Sequence, residues 1–127
     1  MGQKLYHQNP ASQLPLKPDL FQILLTLEEG ERHGYGIIKE VERITDGQIR
    51  LEPSPLYRRL KRLLDRGIVE KADKRPVPEL DDERRRYYRL TDHGRTLVAA
   101  EAQRLVALAG SERVKNLARQ APRPTSA

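Results

Sequence analysis

The segment between Ser54 and Gly67 constrains the fold of this chain more than any other. Ser54 is a favourable helix N-cap, Pro55 suits the first helical position, and Gly67 can adopt the left-handed conformation that ends a helix. The apolar residues between them fall within about 100° of arc at helical spacing. They are Leu56, Leu60, Leu63 and Leu64. The segment therefore predicts an amphipathic helix with one face packed on a core.

The opposite face of this helix is polar and basic. Arg58, Lys61 and Arg62 lie there, and Ser54 and Tyr57 lie toward its N-terminal edge. Residues 50–62 contain five basic residues and one acid, so much of the net charge of +6 is concentrated around this helix. Any exposed amphipathic helix has a charged solvent face, however. The pattern alone leaves a solvated surface and a surface for a polyanion both open.

Two shorter helical patterns precede this helix, and a hairpin and a long helix follow it. In chain order the predicted elements are a helix from Pro18, a helix after Gly34, the helix of residues 54–66, a hairpin of residues 68–90 and a helix from Thr91 to Arg119. Pro18 suits a first turn, and the Thr91 side chain can cap the last helix. Residues 73–84, which connect the two strands, are too polar for a core.

This order of elements is that of a winged helix-turn-helix domain, whose second and third helices form the helix-turn-helix unit. We therefore predict a mainly α fold with a small two-stranded β wing and a long C-terminal dimerisation helix. The predicted limits are a flexible N-terminal arm (1–17), the winged helix-turn-helix domain (18–90), the C-terminal helix (91–119) and a disordered tail (120–127).

The last helix is longer than a core of this size can cover. As one helix, residues 91–119 would extend about 43 Å at 1.5 Å per residue. A partner helix related by a twofold axis would cover its apolar side chains, so the sequence predicts a homodimer. A helix packed within its own chain, or one broken at Gly110-Ser111, is the alternative. The predicted dimerisation residues are Leu97, Val98, Leu105, Leu108, Val114 and Leu117.

A second basic cluster lies on the predicted hairpin. Arg84, Arg85 and Arg86 precede the return strand, and further basic residues follow the outgoing strand. In a wing beside a DNA-reading helix, such residues lie near the minor groove or the phosphate backbone. An edge strand protected from aggregation by its charge would have the same composition. Five acids in the loop between the strands are also available to pair with these arginines.

Several short motifs, in their order and spacing, resemble the PadR family of transcriptional regulators. They are Leu24 to Leu27 followed by His33-Gly34-Tyr35-Gly36, then Ser54-Pro55-Leu56-Tyr57, Arg66-Gly67-Ile68-Val69 and Tyr87-Tyr88-Arg89-Leu90-Thr91-Asp92-His93-Gly94. The resemblance covers residues 20–95. It implies a winged-helix DNA-binding domain, a C-terminal helix that builds a homodimer, and a repressor function.

Together, the basic helix and the resemblance predict a sequence-specific repressor that binds a palindromic double-stranded DNA operator. The resemblance places Tyr57 on the recognition helix at the DNA contact. The expected DNA-binding residues are Ser54, Tyr57, Arg58, Lys61, Arg62, Arg50, Tyr35, Arg85 and Arg86. The alternative is a winged-helix protein-interaction module or antagonist that does not bind DNA, which the acidic loop would suit.

The composition argues against other classes of function. The chain has no cysteine, its three histidines lack metal-ligand spacing, and no nucleophile with its base can be assembled. We expect neither an enzyme nor a metal nor a cofactor. No stretch has the roughly 20 apolar residues of a membrane span, so a cytoplasmic protein without a membrane partner is expected. An effector is left open, and without tryptophan its site would have to be aliphatic.

Overall fold

Five α-helices and a small antiparallel sheet make up the part of the chain that the computed structural model describes, residues 10–72 and 86–122. The helices are α1 (Pro18–Glu28), α2 (Gly34–Ile44), α3 (Pro53–Asp65), α4 (Asp92–Ala109) and α5 (Glu112–Gln120). The strands are β1 (Arg32–His33), β2 (Val69–Ala72) and β3 (Tyr87–Leu90), and a short 3-10 helix covers Pro10–Gln13. The predicted mainly α fold with a small β wing is confirmed.

The sheet has one strand more than predicted, in the order β1-β3-β2. In the wing, Val69 lies opposite Leu90 and Ala72 lies opposite Tyr87, both in antiparallel register. On the other edge of β3, Arg32 lies opposite Tyr88. A two-residue strand such as β1 is too short to show alternation in the sequence. The loop between β2 and β3, with Arg84 and Arg85, lies outside the described residues.

An aliphatic core joins the first four helices to the sheet. Its fully buried members are Ile23, Leu24, Leu27, Ile37, Val41, Leu56, Leu60, Leu63, Ile68, Val69, Leu90, Leu97 and Val98, together with Tyr88. Three of the four leucines predicted to anchor α3 are among them, and Leu64 packs against their edge. Burial of side chains of this kind contributes about 1.5–3 kcal/mol each. One face of α3 is therefore anchored in the core.

α3 starts two residues earlier than predicted. Pro53, rather than Pro55, occupies the first helical position, and Glu52 is the N-cap residue, with extended φ and ψ of −94° and 145°. A residue that precedes proline is pushed into this extended region, which explains why the helix begins at Pro53. Ser54 is consequently inside the first turn and is not the N-cap. Its side chain is exposed.

The single C-terminal helix predicted for residues 91–119 is wrong, because the chain breaks between α4 and α5. Gly110 ends α4, and Ser111 is the N-cap of α5, where its side chain accepts a hydrogen bond from the Val114 N–H at 3.3 Å. Serine offers the backbone such a cap more readily than it continues a helix. Helix α5 buries none of its residues within the chain.

Two of the predicted dimerisation residues belong to the core of their own chain. Leu97 is 1% exposed and Val98 is 3% exposed, so neither is available to a second subunit. Periodicity cannot tell an apolar face that packs within the chain from one that packs outside it. Leu105 is half-buried, whereas Leu108, Val114 and Leu117 are exposed.

The predicted flexible arm of residues 1–17 is packed over the part that the structure describes. Leu14 and Leu16 pack against the core, and the Leu16 N–H donates to Glu101 Oε2 at 3.2 Å. Glu101 is 1% exposed, and Arg104 donates to both of its carboxylate oxygens, at 2.6 and 3.0 Å. The buried Glu101 carboxylate therefore ties the segment before α1 to α4.

Replacing Glu101 with glutamine is expected to destabilise the fold at neutral pH by about 1–3 kcal/mol. The Arg104 guanidinium, which hydrogen-bonds Glu101, holds the pKa of the Glu101 carboxyl below its usual value, although burial opposes this. A lowered pKa in the folded state stabilises the fold above the pKa of the unfolded chain, and the stabilisation is lost as pH falls through the folded value. Urea unfolding over a pH series should show wild type and variant converging in acid.

The matched control for this experiment is Glu112→Gln. Glu112 is exposed on α5 and lies 3.9 Å from the Lys115 Nζ, so its replacement should change the free energy of unfolding by less than about 0.5 kcal/mol. A Glu101→Gln variant as stable as this control at neutral pH would contradict the structural role of the buried carboxylate.

Candidate nucleic-acid interface

The N-terminal turns of α2 and α3 interlock through Tyr57 and Gly34. A Cβ atom on Gly34 would lie 2.6 Å from Cζ and 2.7 Å from Cε1 of Tyr57. The Tyr57 ring therefore occupies the space that any larger residue at position 34 would need. The sequence pattern indicated a helix-start turn at Gly34, but it did not indicate this contact between helices. The contact fixes how α3 is oriented on α2.

The start of α2 carries an exposed aromatic side chain. His33 caps the helix by accepting the Gly36 N–H at its Nδ1, at 2.9 Å, as expected for a histidine in a turn. The Tyr35 ring stacks on the His33 ring at 6.5 Å, and Lys39 Nζ lies 5.4 Å from the Tyr35 ring centre. Tyr35 remains 57% exposed. Its hydroxyl is thus presented to solvent beside the contact between α2 and α3.

The outer face of α3 is basic and exposed. Arg58, Lys61 and Arg62 are all exposed, and within residues 10–72 and 86–122 none of the three forms an ion pair. Arg59 differs, because it is half-buried and its Nη1 lies 3.0 Å from Asp19 Oδ1 on α1. The residues predicted to contact DNA from α3 are therefore the ones whose charge is not neutralised. Tyr57 is only half-exposed, since part of its ring packs against the core.

Other basic residues near this face are neutralised by acids. Arg43 on α2 pairs with Glu40 at 2.5 Å, and its hydrogen bond lowers the pKa of the Glu40 carboxyl. Arg89 on β3 lies 2.8 Å from Glu70 and 3.4 Å from Glu31, and the hydrogen bond that it donates to Glu70 raises the pKa of its guanidinium. The charges of Arg43 and Arg89 are thus compensated, whereas those of the exposed basic residues of α3 are not compensated within the described residues.

The last predicted contacts belong to parts of the chain outside α3. Arg50 is exposed in the turn before it, and its guanidinium lies near Gly47. Arg86 is exposed directly before β3. Arg85 lies outside the described residues. Helix α3, the preceding turn and the start of β3 thus contribute exposed arginines to the predicted surface.

The described residues form neither a metal site nor a membrane span. No three His, Asp or Glu side chains in residues 10–72 and 86–122 are grouped so that they could hold a metal ion. None of the described helices combines the length and the apolar character that a membrane span requires.

Comparison with known families supports the assignment suggested by the fold. Residues 23–100, which include α2, α3 and the wing, match the transcriptional regulator PadR-like family. The chain belongs to this family. The resemblance seen in the sequence motifs is therefore confirmed. A comparison with curated protein sequences finds no match.

Several solved structures share this fold. RosR of H. salinarum is 25% identical, with a TM-score of 0.62 over 84% of this chain and 94% of that one. A PadR-like transcriptional regulator from Bacillus cereus is 22% identical, with a TM-score of 0.62 over 81% and 93% of the two chains. Bacillus subtilis PadR in complex with operator DNA is 23% identical, with a TM-score of 0.58 over 89% of this chain and 52% of that one. These likenesses establish the winged-helix fold.

Proposed function

We propose that this chain is a homodimeric transcriptional repressor that binds a palindromic double-stranded DNA operator, with α3 in the major groove. The observation that carries the proposal is the exposed basic face of α3, whose three cations have no acidic partner in the described chain. Buried leucines hold the opposite face of the same helix. A rigid helix with donors on one side suits the width of the major groove.

The side chains on this face match the chemistry of duplex DNA. An arginine can donate two hydrogen bonds to a guanine edge, and lysine or arginine can neutralise phosphates. In this proposal Arg58, Lys61 and Arg62 supply those contacts, and Ser54 and Tyr57 contact the DNA near the N-terminus of α3. Tyr35, Arg50, Arg85 and Arg86 flank them. The Bacillus subtilis relative, solved with operator DNA, supports this use of the fold.

The C-terminal region supports the homodimer. Val106 is 73% exposed and Leu117 is 64% exposed, and Leu108 and Val114 are also exposed. Exposed apolar side chains grouped in one region of a chain are candidates for an interaction surface. A second copy of the chain would cover them and would present two copies of α3 with twofold symmetry. Such symmetry predicts a palindromic operator.

Replacing Arg58 or Lys61 with alanine tests the DNA interface. Each variant should weaken binding to a selected duplex by about 1–3 kcal/mol. Loss of a phosphate contact should also reduce the slope of log affinity against log salt by about 1. Both quantities can be measured by fluorescence anisotropy with duplexes selected from a random pool.

The matched control is Arg95→Ala, which removes the same charge from α4. Arg95 lies 3.7 Å from Glu28 and 3.5 Å from Asp92, so its charge is already compensated. Equal losses of duplex affinity in the Arg58, Lys61 and Arg95 variants would indicate only an effect of net charge. Duplex affinity that is weak and insensitive to salt would favour the protein-interaction module instead.

A further inference from the structure

A cavity of about 630 Å³ lies on the side of α3 that turns toward α4. The segment before α1 forms one wall, α3 forms a second wall, and the start of α4 forms a third. Cavities of this volume are typical of sites for small organic ligands. This cavity could not be recognised from the sequence, because its walls come from three separate parts of the chain.

The lining of the cavity is cationic. Lys17, Arg59, Arg62 and Arg66 line it, and no acidic residue of the described chain does. Asp19 neutralises Arg59 from beside the cavity, at 3.0 Å. The other three cations form no ion pair within the part of the chain that the structure describes. The cavity therefore has an excess of positive charge that a small anion would compensate.

Two buried polar atoms of the lining have no hydrogen-bond partner. These are Gln13 Nε2 and His93 Nε2, and they make up two of the three such side-chain atoms in the described residues. A buried polar atom without a partner costs about 1–3 kcal/mol in most proteins. Such atoms are rare, and a bound ligand or water is a common explanation. Each of these two atoms is almost inaccessible to solvent and therefore lies within the wall of the cavity, behind its surface.

The rest of the lining is aliphatic. Leu63 of α3, Leu97 of α4 and Leu20 of α1 contribute to it, and no Tyr or Phe does. An occupant that satisfies both parts of the wall has an anionic head and an aliphatic body. A planar aromatic compound would find no ring to stack on.

We propose that this cavity, where Arg62 and Arg66 of α3 meet His93 of α4 and the segment before α1, binds a small aliphatic carboxylate. The carboxylate would accept hydrogen bonds from the arginines. Its alkyl chain would lie along the leucines. The binding of this ligand class does not depend on the function proposed above.

The consequence for regulation does rest on that proposed function. Arg62 lines the cavity and is also one of the residues proposed to contact DNA. A carboxylate that engages Arg62 in the cavity withdraws this donor from the DNA. The bound ligand therefore lowers affinity for the operator, as an inducer does.

Proton and nitrogen NMR of the histidine rings tests the site without DNA. Sodium hexanoate, inorganic phosphate and hexan-1-ol are each titrated into the full chain at constant ionic strength. Hexanoate should shift the His93 signals saturably and at lower concentration than either other probe. The His33 signals should not move, because His33 Nδ1 already accepts the Gly36 N–H.

Two arginine variants test whether hexanoate binds in the cavity. Arg66→Gln should weaken hexanoate binding about tenfold, which is the loss expected for one charge-assisted contact. Arg58→Gln, on the exposed face of α3 outside the cavity lining, should leave it unchanged. Three results would each overturn the proposal. They are the absence of a saturable His93 shift with hexanoate, an equal loss of hexanoate affinity in both variants, and phosphate binding as tight as hexanoate binding.

A DNA titration separates this proposal from the proposed function. Hexanoate should weaken duplex binding by the wild type, and this effect should be reduced in Arg66→Gln. If the protein fails to bind any duplex without hexanoate, the proposed function fails while the His93 titration still stands. If DNA binds but hexanoate leaves its affinity unchanged, the regulatory role fails and the ligand site is judged by the NMR titration alone.

Discussion

Replacing Gly94 with alanine should destabilise the fold by at least about 3 kcal/mol and lower the unfolding temperature by roughly 10 °C or more. A Cβ atom at position 94 would overlap the Ile68 carbonyl oxygen and would lie 3.1 Å from its carbon. That oxygen cannot move easily, because it accepts the Thr91 N–H at 3.1 Å. The Thr91 hydroxyl also donates to the Gly67 carbonyl at 2.5 Å. Calorimetry of the purified variant provides the measurement.

Gly36→Ala is the matched control for this substitution. A Cβ atom on Gly36 would meet the His33 ring at 3.4 Å, an ordinary contact distance, and no backbone atom crowds it. Because alanine is a better helix former than glycine by about 1 kcal/mol, this variant should be as stable as wild type or more so. A Gly94→Ala variant with an unfolding temperature close to the control would refute the close packing of α4 on the end of α3.

The double substitution Val114→Gln/Leu117→Gln should dissociate the proposed dimer. Both side chains lie on one face of α5 and are exposed, Val114 by 37% and Leu117 by 64%, so their replacement removes apolar area that a partner would cover. Two tethered copies of α3 gain about 10²–10⁴ in avidity over one copy, and the variant should lose affinity for a palindromic duplex by a similar factor. Sedimentation equilibrium and anisotropy measure the two effects.

Asn116→Gln is the control on the opposite face of α5. It conserves the charge and the polarity of the helix, and it should leave both the sedimentation and the DNA affinity unchanged. A double variant that sediments as the wild type does would show that α5 is not the subunit contact. Unchanged folding of the double variant, monitored by circular dichroism, separates dissociation from unfolding.

The helix-turn-helix was predictable because its signals are local. The leucine stripe of α3, the stop at Gly67 and the Thr91 cap each depend on residues a few positions apart, and the structure reproduces all three. The start of α3 was misplaced by two residues because Pro53, like Pro55, suits a first turn.

The errors concern contacts between distant residues. The hydrogen bond from Leu16 to Glu101 joins positions 85 residues apart, and composition suggested only a polar arm. Leu97 and Val98 were assigned to the dimer because periodicity shows that a face is apolar and not what covers it. The basic residues of α3 were found from helical spacing alone, and their contacts with DNA stay a prediction. The cavity could not be predicted, since Arg66 and His93 meet only in the folded chain.

The interlock of Tyr57 with Gly34 limits how the DNA affinity of this protein can be regulated. Because the Tyr57 ring fills the space above Gly34, α3 cannot rotate about its own axis without displacing α2. The two helices must therefore move as one rigid body during any conformational change. In the proposed dimer, a signal would act by changing the spacing between the two rigid pairs, or by capturing a side chain such as Arg62, and not by reorienting the reading helix.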